Sequence, residues 1–203
     1  MMTVYSAPNT RAIRVIWVLE EIGAQAEIKS MPYPPRQHAP DYFAVNPTGM
    51  VPLLIDGEVR LDESMAICDY LATKHGSPLV VPADDPERPQ FLQWLWYGES
   101  TLMTPLSRLN IVRQVERKGG PEVDVLIAGA RDHVAKRLNM LEQHLEGRDF
   151  LAAGRLTLAD ISVAYPLHLV GMLGLDDLLG PRSVAYRDRL RARPAYQRAL
   201  AIS

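Results

Sequence analysis

The sequence predicts an α/β unit followed by an all-helical unit. Three patterns carry this reading. Asp56-Gly57 separates two short stretches with strand character, Leu53 to Ile55 and Glu58 to Leu61, as a two-residue hairpin turn does. Upstream, a strand pattern, an amphipathic stretch stopped by Gly23 and a second strand pattern follow at the spacing of a βαβ unit. Beyond a proline-rich stretch at residues 77–89 no strand pattern returns, and apolar residues recur at helical spacing. The expected organisation is a first domain over residues 1–76, a linker over 77–89 and a helical domain over 90–203.

In order, Thr3 to Ser6 has strand character and Ala7-Pro8-Asn9 breaks it. Thr10 can cap a helix from Arg11 to Ile22, with Ala12, Val15, Ile16, Leu19 and Ile22 as its apolar stripe and Glu20 and Glu21 facing water. Ala26 to Met31 is the second strand, parallel to the first because a helical crossover joins them. Pro32 to Pro40 reads as an irregular loop, and Asp41 to Val45 as at most a short helix. At the hairpin, a type I′ turn requires positive φ at both Asp56 and Gly57. Asp62 then opens an amphipathic helix, Glu63 to His75, closed by Gly76.

In the second half, Gln90 to Arg117 is one long helical stretch with a kink expected at Pro105 and a break at Gly119-Gly120. Pro121 to Glu146 is another, with Ile127, Val134, Leu138, Leu141 and Leu145 on one face and Gly147 closing it. Thr157 and Asp160 have the spacing of a capping box, and Leu156 and Ile161 that of a hydrophobic staple. The helix they open is nearly all apolar to about Met172, so it belongs in the core, bent at Pro166. Arg182 to Arg193 and Pro194 to Ile202 are short basic helices expected to present solvated outer faces.

The composition, 47% hydrophobic and 23% charged over 203 residues, is that of an ordinary globular chain. A net charge of −2 and a pI near 6.2 supply no basic surface for nucleic acid or an anionic membrane, so neither is an expected partner. The longest weakly polar run, Ile161 to Leu175, is too short and interrupted to cross a bilayer, and the N-terminus lacks the features of a secretory signal. The one cysteine, Cys68, cannot form an intramolecular disulfide, which points to a reducing cytoplasm. It sits mid-helix among Ala66, Ile67 and Leu71 as a small buried filler. No metal is expected. No reactive cysteine stands at the start of the first helix.

The most informative stretch is Asn46 to Ser64. Pro52 cannot donate to a strand ladder, so it belongs at a strand's first position or at an edge. A cis bond before it would turn the Val51 backbone outward, with N–H and C=O free to pair with a short peptide. The N-terminus of the next helix, beside it, offers free N–H groups suited to a carboxylate. Together they form a clamp for a small acidic peptide.

Met50-Val51-Pro52, followed after ten residues by Glu63-Ser64, resembles the glutathione site of the glutathione S-transferase family. The likeness runs over nearly the whole chain. It implies a thioredoxin-like βαβ–ββα domain followed by an all-helical domain. Carried over residue by residue, Val51, before the cis Pro52, pairs with the tripeptide's cysteine, and Glu63 and Ser64 hold its γ-glutamyl end. His38, with Arg36 nearby, stands where some members carry a cation for the glycine carboxylate. Met50 stands where several subclasses place a polar ligand-touching residue, so it counts as a glutathione-site position that lacks the polar contact.

In the family a hydroxyl or thiol just after the first strand donates to the ligand sulfur. Ala7-Pro8-Asn9-Thr10 resembles the serine-type pattern of small residue, Pro, Gly, Ser, which puts Thr10 at the hydroxyl position; Ser6, Tyr5 and Asn9 are fallback donors. Helix capping alone also explains a threonine here. Arg11 and Arg14 oppose the helix dipole, which a bound thiolate would relieve; an ion pair with Glu63 or Asp62, or plain solvation, is the other account. The first long helix, with Leu102, Met103, Leu106 and Arg108, corresponds to the one lining the family's hydrophobic second-substrate site, and it also serves the dimer contact. The resemblance thus implies a cytoplasmic, homodimeric transferase joining glutathione to a small hydrophobic electrophile. The same site could instead serve glutathione-dependent peroxide or disulfide reduction, or the chain could be a catalytically silent binding or scaffold protein.

Overall fold

The computed structural model describes residues 1–116 and 121–202, so the break expected at Gly119-Gly120 lies outside the described residues. The chain divides into two compact units, one formed by Met1–Val80 with the residues from Arg191 on, the other by Val81–Leu190.

The first unit is built on a four-stranded sheet of order β2-β1-β3-β4, with β1 Thr3–Ser6, β2 Glu27–Ser30, β3 Leu53–Asp56 and β4 Val59–Leu61. β1 and β2 are parallel across the helix α1, Ala12–Ile22. β3 runs antiparallel to both β1 and β4, with Tyr5 opposite Leu53 and Leu54 opposite Leu61. Between β2 and β3 lie the short helix α2, Pro35–His38, and a 3-10 turn, Pro40–Ala44. After β4 comes α3, Ser64–Lys74, which packs on α1.

The hairpin is present with its turn moved by one residue. Asp56 pairs with Val59, so the central residues are Gly57 and Glu58, and of these only Gly57 has positive φ. A glycine with positive φ at the first central position is what a type II′ turn needs, so the I′ expectation is not met. Asp56 is kept in the strand because its carboxylate is taken by Tyr70 Oη at 2.9 Å and by the Lys74 ammonium, both on α3.

α1 is also more enclosed than a one-stripe helix. Every residue from Ala12 to Leu19 is buried, whereas Ile22 is partly exposed. A further helix, α9, Pro194–Ile202, covers part of α1. Trp17 meets Tyr196 edge to face at 4.9 Å, and the Arg193 guanidinium grips the Glu21 carboxylate at 2.7 and 2.9 Å. Glu21 therefore does not face open water, and α9 buries Ala195, Tyr196 and Ala199 rather than presenting a wholly solvated face.

In the second unit, α4, Arg88–Trp96, continues through a π-helical turn, Tyr97–Leu102, into α5, Met103–Glu116. The break falls ahead of Pro105, where that residue's missing N–H and its ring disturb the preceding turn. Gly98 is needed inside it, because a Cβ there would lie 2.4 Å from Ser162 Oγ. α6, Pro121–His144, packs along α5, and its buried face carries Val134, Leu138 and Leu141, with Leu145 just beyond its end; Ile127 is only partly covered.

α7, Leu158–Met172, is the core helix and runs through Pro166. It opens on the expected capping box, with Asp160 accepting from Thr157 N at 2.8 Å and from Thr157 Oγ1 at 3.0 Å. The other Asp160 oxygen accepts from Leu151 N at 3.0 Å and Tyr186 Oη at 2.9 Å. Burial pushes the Asp160 carboxyl upward, against these bonds. Its role is to tie three segments together. α8, Pro181–Arg191, supplies Tyr186 and buries Leu190, so it too has an inner face. Among the described residues no helix is long and apolar enough to cross a membrane.

Candidate glutathione site

The segment before β3 is fixed by its own side chains. Asn46 is buried; its Oδ1 accepts from Thr48 N at 3.2 Å and Thr48 Oγ1 at 3.0 Å, and its Nδ2 donates to the Met50 carbonyl at 2.9 Å. Tyr42 Oη donates to the same carbonyl at 3.0 Å. Gly49 has φ +61, and a Cβ there would lie 2.8 Å from the Phe43 ring, so glycine is required on both counts. With the Met50 carbonyl held twice, the Met50–Val51 peptide plane is fixed.

The Val51–Pro52 bond is cis. Among the described residues the Val51 N–H and C=O enter no hydrogen bond. β3 lies between β1 and β4 and is antiparallel to both, so the end of β1 at Ser6, the start of β3 at Leu53 and the end of β4 at Leu61 lie at the same end of the sheet. The loop after β1, the open main chain of Val51 and the N-terminus of α3 thus share one end of the sheet.

At α3 the Ncap is Glu63, which is exposed and makes no side-chain cap bond, so the helix's first N–H groups are not capped from within. Ser64 is the first helical residue and only 2% exposed; its Oγ accepts from Arg14 Nη1 at 3.1 Å. On the other side, Thr10 is 6% exposed, and its Oγ1 donates to the Ala7 carbonyl at 2.7 Å and accepts from Ala12 N at 3.4 Å. Its proton is thus spent on the main chain. Asn9 has φ +59, a conformation asparagine tolerates better than most residues, which accounts for it standing where a glycine was expected. Ser6 Oγ is buried with no hydrogen-bond partner among the described residues.

The sequence and the fold have counterparts in known proteins. Residues 1–73 match the family model of the glutathione S-transferase N-terminal domain, and residues 124–198 that of the C-terminal domain. The chain is similar to glutathione S-transferase 3 of Zea mays, 31% identical over 98% of this chain and 93% of that one. It is equally similar, at 31% identity over 93% and 90% of the two chains, to the probable glutathione S-transferase GSTF2 of Oryza sativa subsp. japonica. Among solved structures, a glutathione transferase family member from Pseudomonas fluorescens with two glutathione bound superposes with a TM-score of 0.87, 25% identity and coverage of 98% and 92%. This chain belongs to the glutathione S-transferase family.

As a member of the glutathione S-transferase family, the chain has a first unit that brings Val51, Pro52, Ser64 and Thr10 to one end of its sheet. Met50 is 48% exposed and contributes its carbonyl to the loop. His38, at the end of α2, is exposed, as is Arg36, whose Cβ abuts Gly49. Of the four residues suggested for a hydrophobic pocket, Leu102, Met103 and Leu106 are buried, at 0%, 4% and 0% exposure. Helical spacing marks apolar positions without separating core from lining. Arg108 alone is exposed; it lines an open groove of about 620 Å³ with Thr104, Val125, Leu126 and His133.

Two residues carry more of the site than sequence reasoning gave them. Asn46 holds the Val51 loop, and its signal was the Asn-Pro-Thr-Gly sequence, an Asx turn in which the side chain reaches the residue two ahead. Arg14 is neither solvated nor limited to an ion pair with the acids after β4, since it is buried and bonded to Ser64. Its signal was a lone cation in the apolar run from Ala12 to Leu19.

Proposed function

We propose that this chain is a glutathione transferase that binds glutathione at Val51, Glu63 and Ser64 and joins its sulfur to a small hydrophobic electrophile. The observation that carries the reading is the open main chain of Val51, on a loop locked by Asn46, beside the uncapped start of α3. An extended peptide can pair with Val51 N–H and C=O as a strand would. The γ-glutamyl carboxylate then meets the α3 N–H groups and Ser64, with the Glu63 carboxylate available to the γ-glutamyl ammonium. The exposed Arg36 guanidinium, or a ring N–H of His38, is the donor proposed for the glycine carboxylate.

The thiol is activated by donors that stabilise its thiolate. For Thr10 to serve, its hydroxyl turns from the Ala7 carbonyl to the ligand sulfur. The thiolate attacks the electrophilic carbon, a carbon–sulfur bond forms and the leaving group departs with its electron pair. The gain over solution comes from the lowered thiol pKa and from holding the two reactants together. We further place the enzyme in the reducing cytoplasm, in keeping with its single buried cysteine, and infer a homodimer, in keeping with the exposed Trp96, Val125, Leu126 and Met140 of the helical unit.

One observation favours a second reading. The Thr10 proton is committed in this structure, which suits a binder that does no chemistry. Retention on immobilised glutathione, lost in Ser64→Ala, supports the tripeptide site, and an unretained wild-type protein refutes it. Turnover of an activated aryl chloride then separates the enzyme from the silent binder.

A further inference from the structure

We propose that Arg14 is the positioning residue that makes Ser64 a donor, and that it thereby restricts this subsite to ligands carrying an anionic group. The inference rests on the glutathione reading of the site.

Arg14 is 1% exposed and among the largest fully buried side chains of the chain. A buried guanidinium is costly, so it persists where its donors are used. One of them goes to Ser64 Oγ, fifty residues away, at the first turn of α3. The direction of that bond is not negotiable. A guanidinium has only N–H groups and cannot accept, so Ser64 Oγ is the acceptor. A serine hydroxyl holds one proton and can accept as well as donate, so accepting from Arg14 leaves the proton unspent.

Among the described residues that proton goes to no acceptor. The first turn of a helix presents N–H groups, which compete for acceptors and supply none. The Ser64 proton, the α3 N–H groups and the Arg14 charge behind them therefore converge as donors and positive potential, with the acceptor to come from the ligand. The γ-glutamyl α-carboxylate of glutathione is such a group. Thr10 makes the contrast: its proton is spent on the Ala7 carbonyl.

The test compares two ligands in calorimetric titrations: glutathione, and 4-aminobutyryl-cysteinyl-glycine, which lacks only the α-carboxylate. Wild type is measured first. If it binds neither tripeptide, the glutathione reading itself fails. If it binds both equally, that reading stands and the Arg14 assignment falls. The expected result is a preference for glutathione of about tenfold to a hundredfold, the range of one hydrogen bond to a charged group.

Arg14→Gln separates direction from packing, because a glutamine amide can accept the Ser64 proton. It should reduce the preference to about threefold or less, by weakening glutathione and leaving the analogue unchanged. Arg14→Lys, again a donor only, should keep most of the preference. Retained preference in a folded Arg14→Gln overturns the proposal, and so does an equal loss of both ligands. If Arg14→Gln does not fold, Arg14→Lys decides: a collapse of the preference in that variant also overturns it. With an aryl chloride as second substrate, the glutathione KM should move with the Kd, while kcat at saturation changes by less than about threefold.

Discussion

Thr10 allows the sulfur-activation step to be tested apart from folding. Its hydroxyl is buried, donates to Ala7 O at 2.7 Å and receives Ala12 N at 3.4 Å. Thr10→Val keeps the shape and removes both bonds. The Ala7 carbonyl, on a residue only 1% exposed, loses its side-chain donor, which costs about 1–3 kcal/mol. The long bond to Ala12 N adds a few tenths at most, since helix-start bonds of good geometry contribute only ~1 kcal/mol. A loss of about 2 kcal/mol lowers Tm by roughly 4–8 °C in a protein of this size.

The catalytic effect is worked separately. A hydrogen bond to a thiolate contributes about 1.5–3 kcal/mol, less the ~0.5–1.5 kcal/mol given up when Thr10 leaves Ala7. The net, ~1–2 kcal/mol, corresponds to about one pKa unit on the bound thiol. A donor favours the charged form, so removing it raises that pKa. The assay is the ultraviolet thiolate absorbance of bound glutathione titrated against pH in wild type, Thr10→Val and Thr10→Ser. Thr10→Val should titrate about one unit higher and Thr10→Ser close to wild type. A Thr10→Val protein that binds glutathione with an unshifted thiol pKa would refute the role given to Thr10.

Two further outcomes follow from the same contacts. Asn46→Ala frees the Val51 loop, leaving only Tyr42 on the Met50 carbonyl, and glutathione should bind about tenfold more weakly with Ser64 intact, a difference of ~1.4 kcal/mol measurable by titration. Burial alone would raise the Glu21 carboxyl, but the bonds from Arg193 and Trp17 outweigh it and hold the pKa below its ordinary value. The linked stability is therefore complete above the unfolded-state pKa and is lost as pH falls through the folded one; urea midpoints should show that acid loss in wild type and lack this component of it in Glu21→Gln.

The parts of the fold legible in the sequence are those set by neighbours in the chain. The capping box of Thr157 and Asp160 spans three residues, and the βαβ order of the first unit follows from Gly23 and the apolar periods on either side. Where a distant side chain intervenes, local reading drifts. The hairpin moved by one residue because Tyr70 and Lys74 hold Asp56 in the strand, and α1 is enclosed because Tyr196 and Arg193 arrive from the far end of the chain. Leu102, Met103 and Leu106 share a helical period with Arg108, but burial depth depends on what packs against the helix.

The direction of a hydrogen bond is less legible still. In the sequence Thr10 and Ser64 are alike, each a hydroxyl at a helix start facing the same proposed ligand. The structure gives them opposite states: the Thr10 hydroxyl donates to the Ala7 carbonyl three residues back, while among the described residues the Ser64 hydroxyl accepts from Arg14 and donates to no acceptor. The Thr10 proton must be recovered from Ala7 before it can serve the sulfur, whereas the Ser64 proton is ready before the ligand arrives. Binding at Ser64 therefore needs no rearrangement of the protein and activation at Thr10 does. A member of this family whose Thr10 could not make that exchange would still hold glutathione, and only the thiol pKa would reveal the difference.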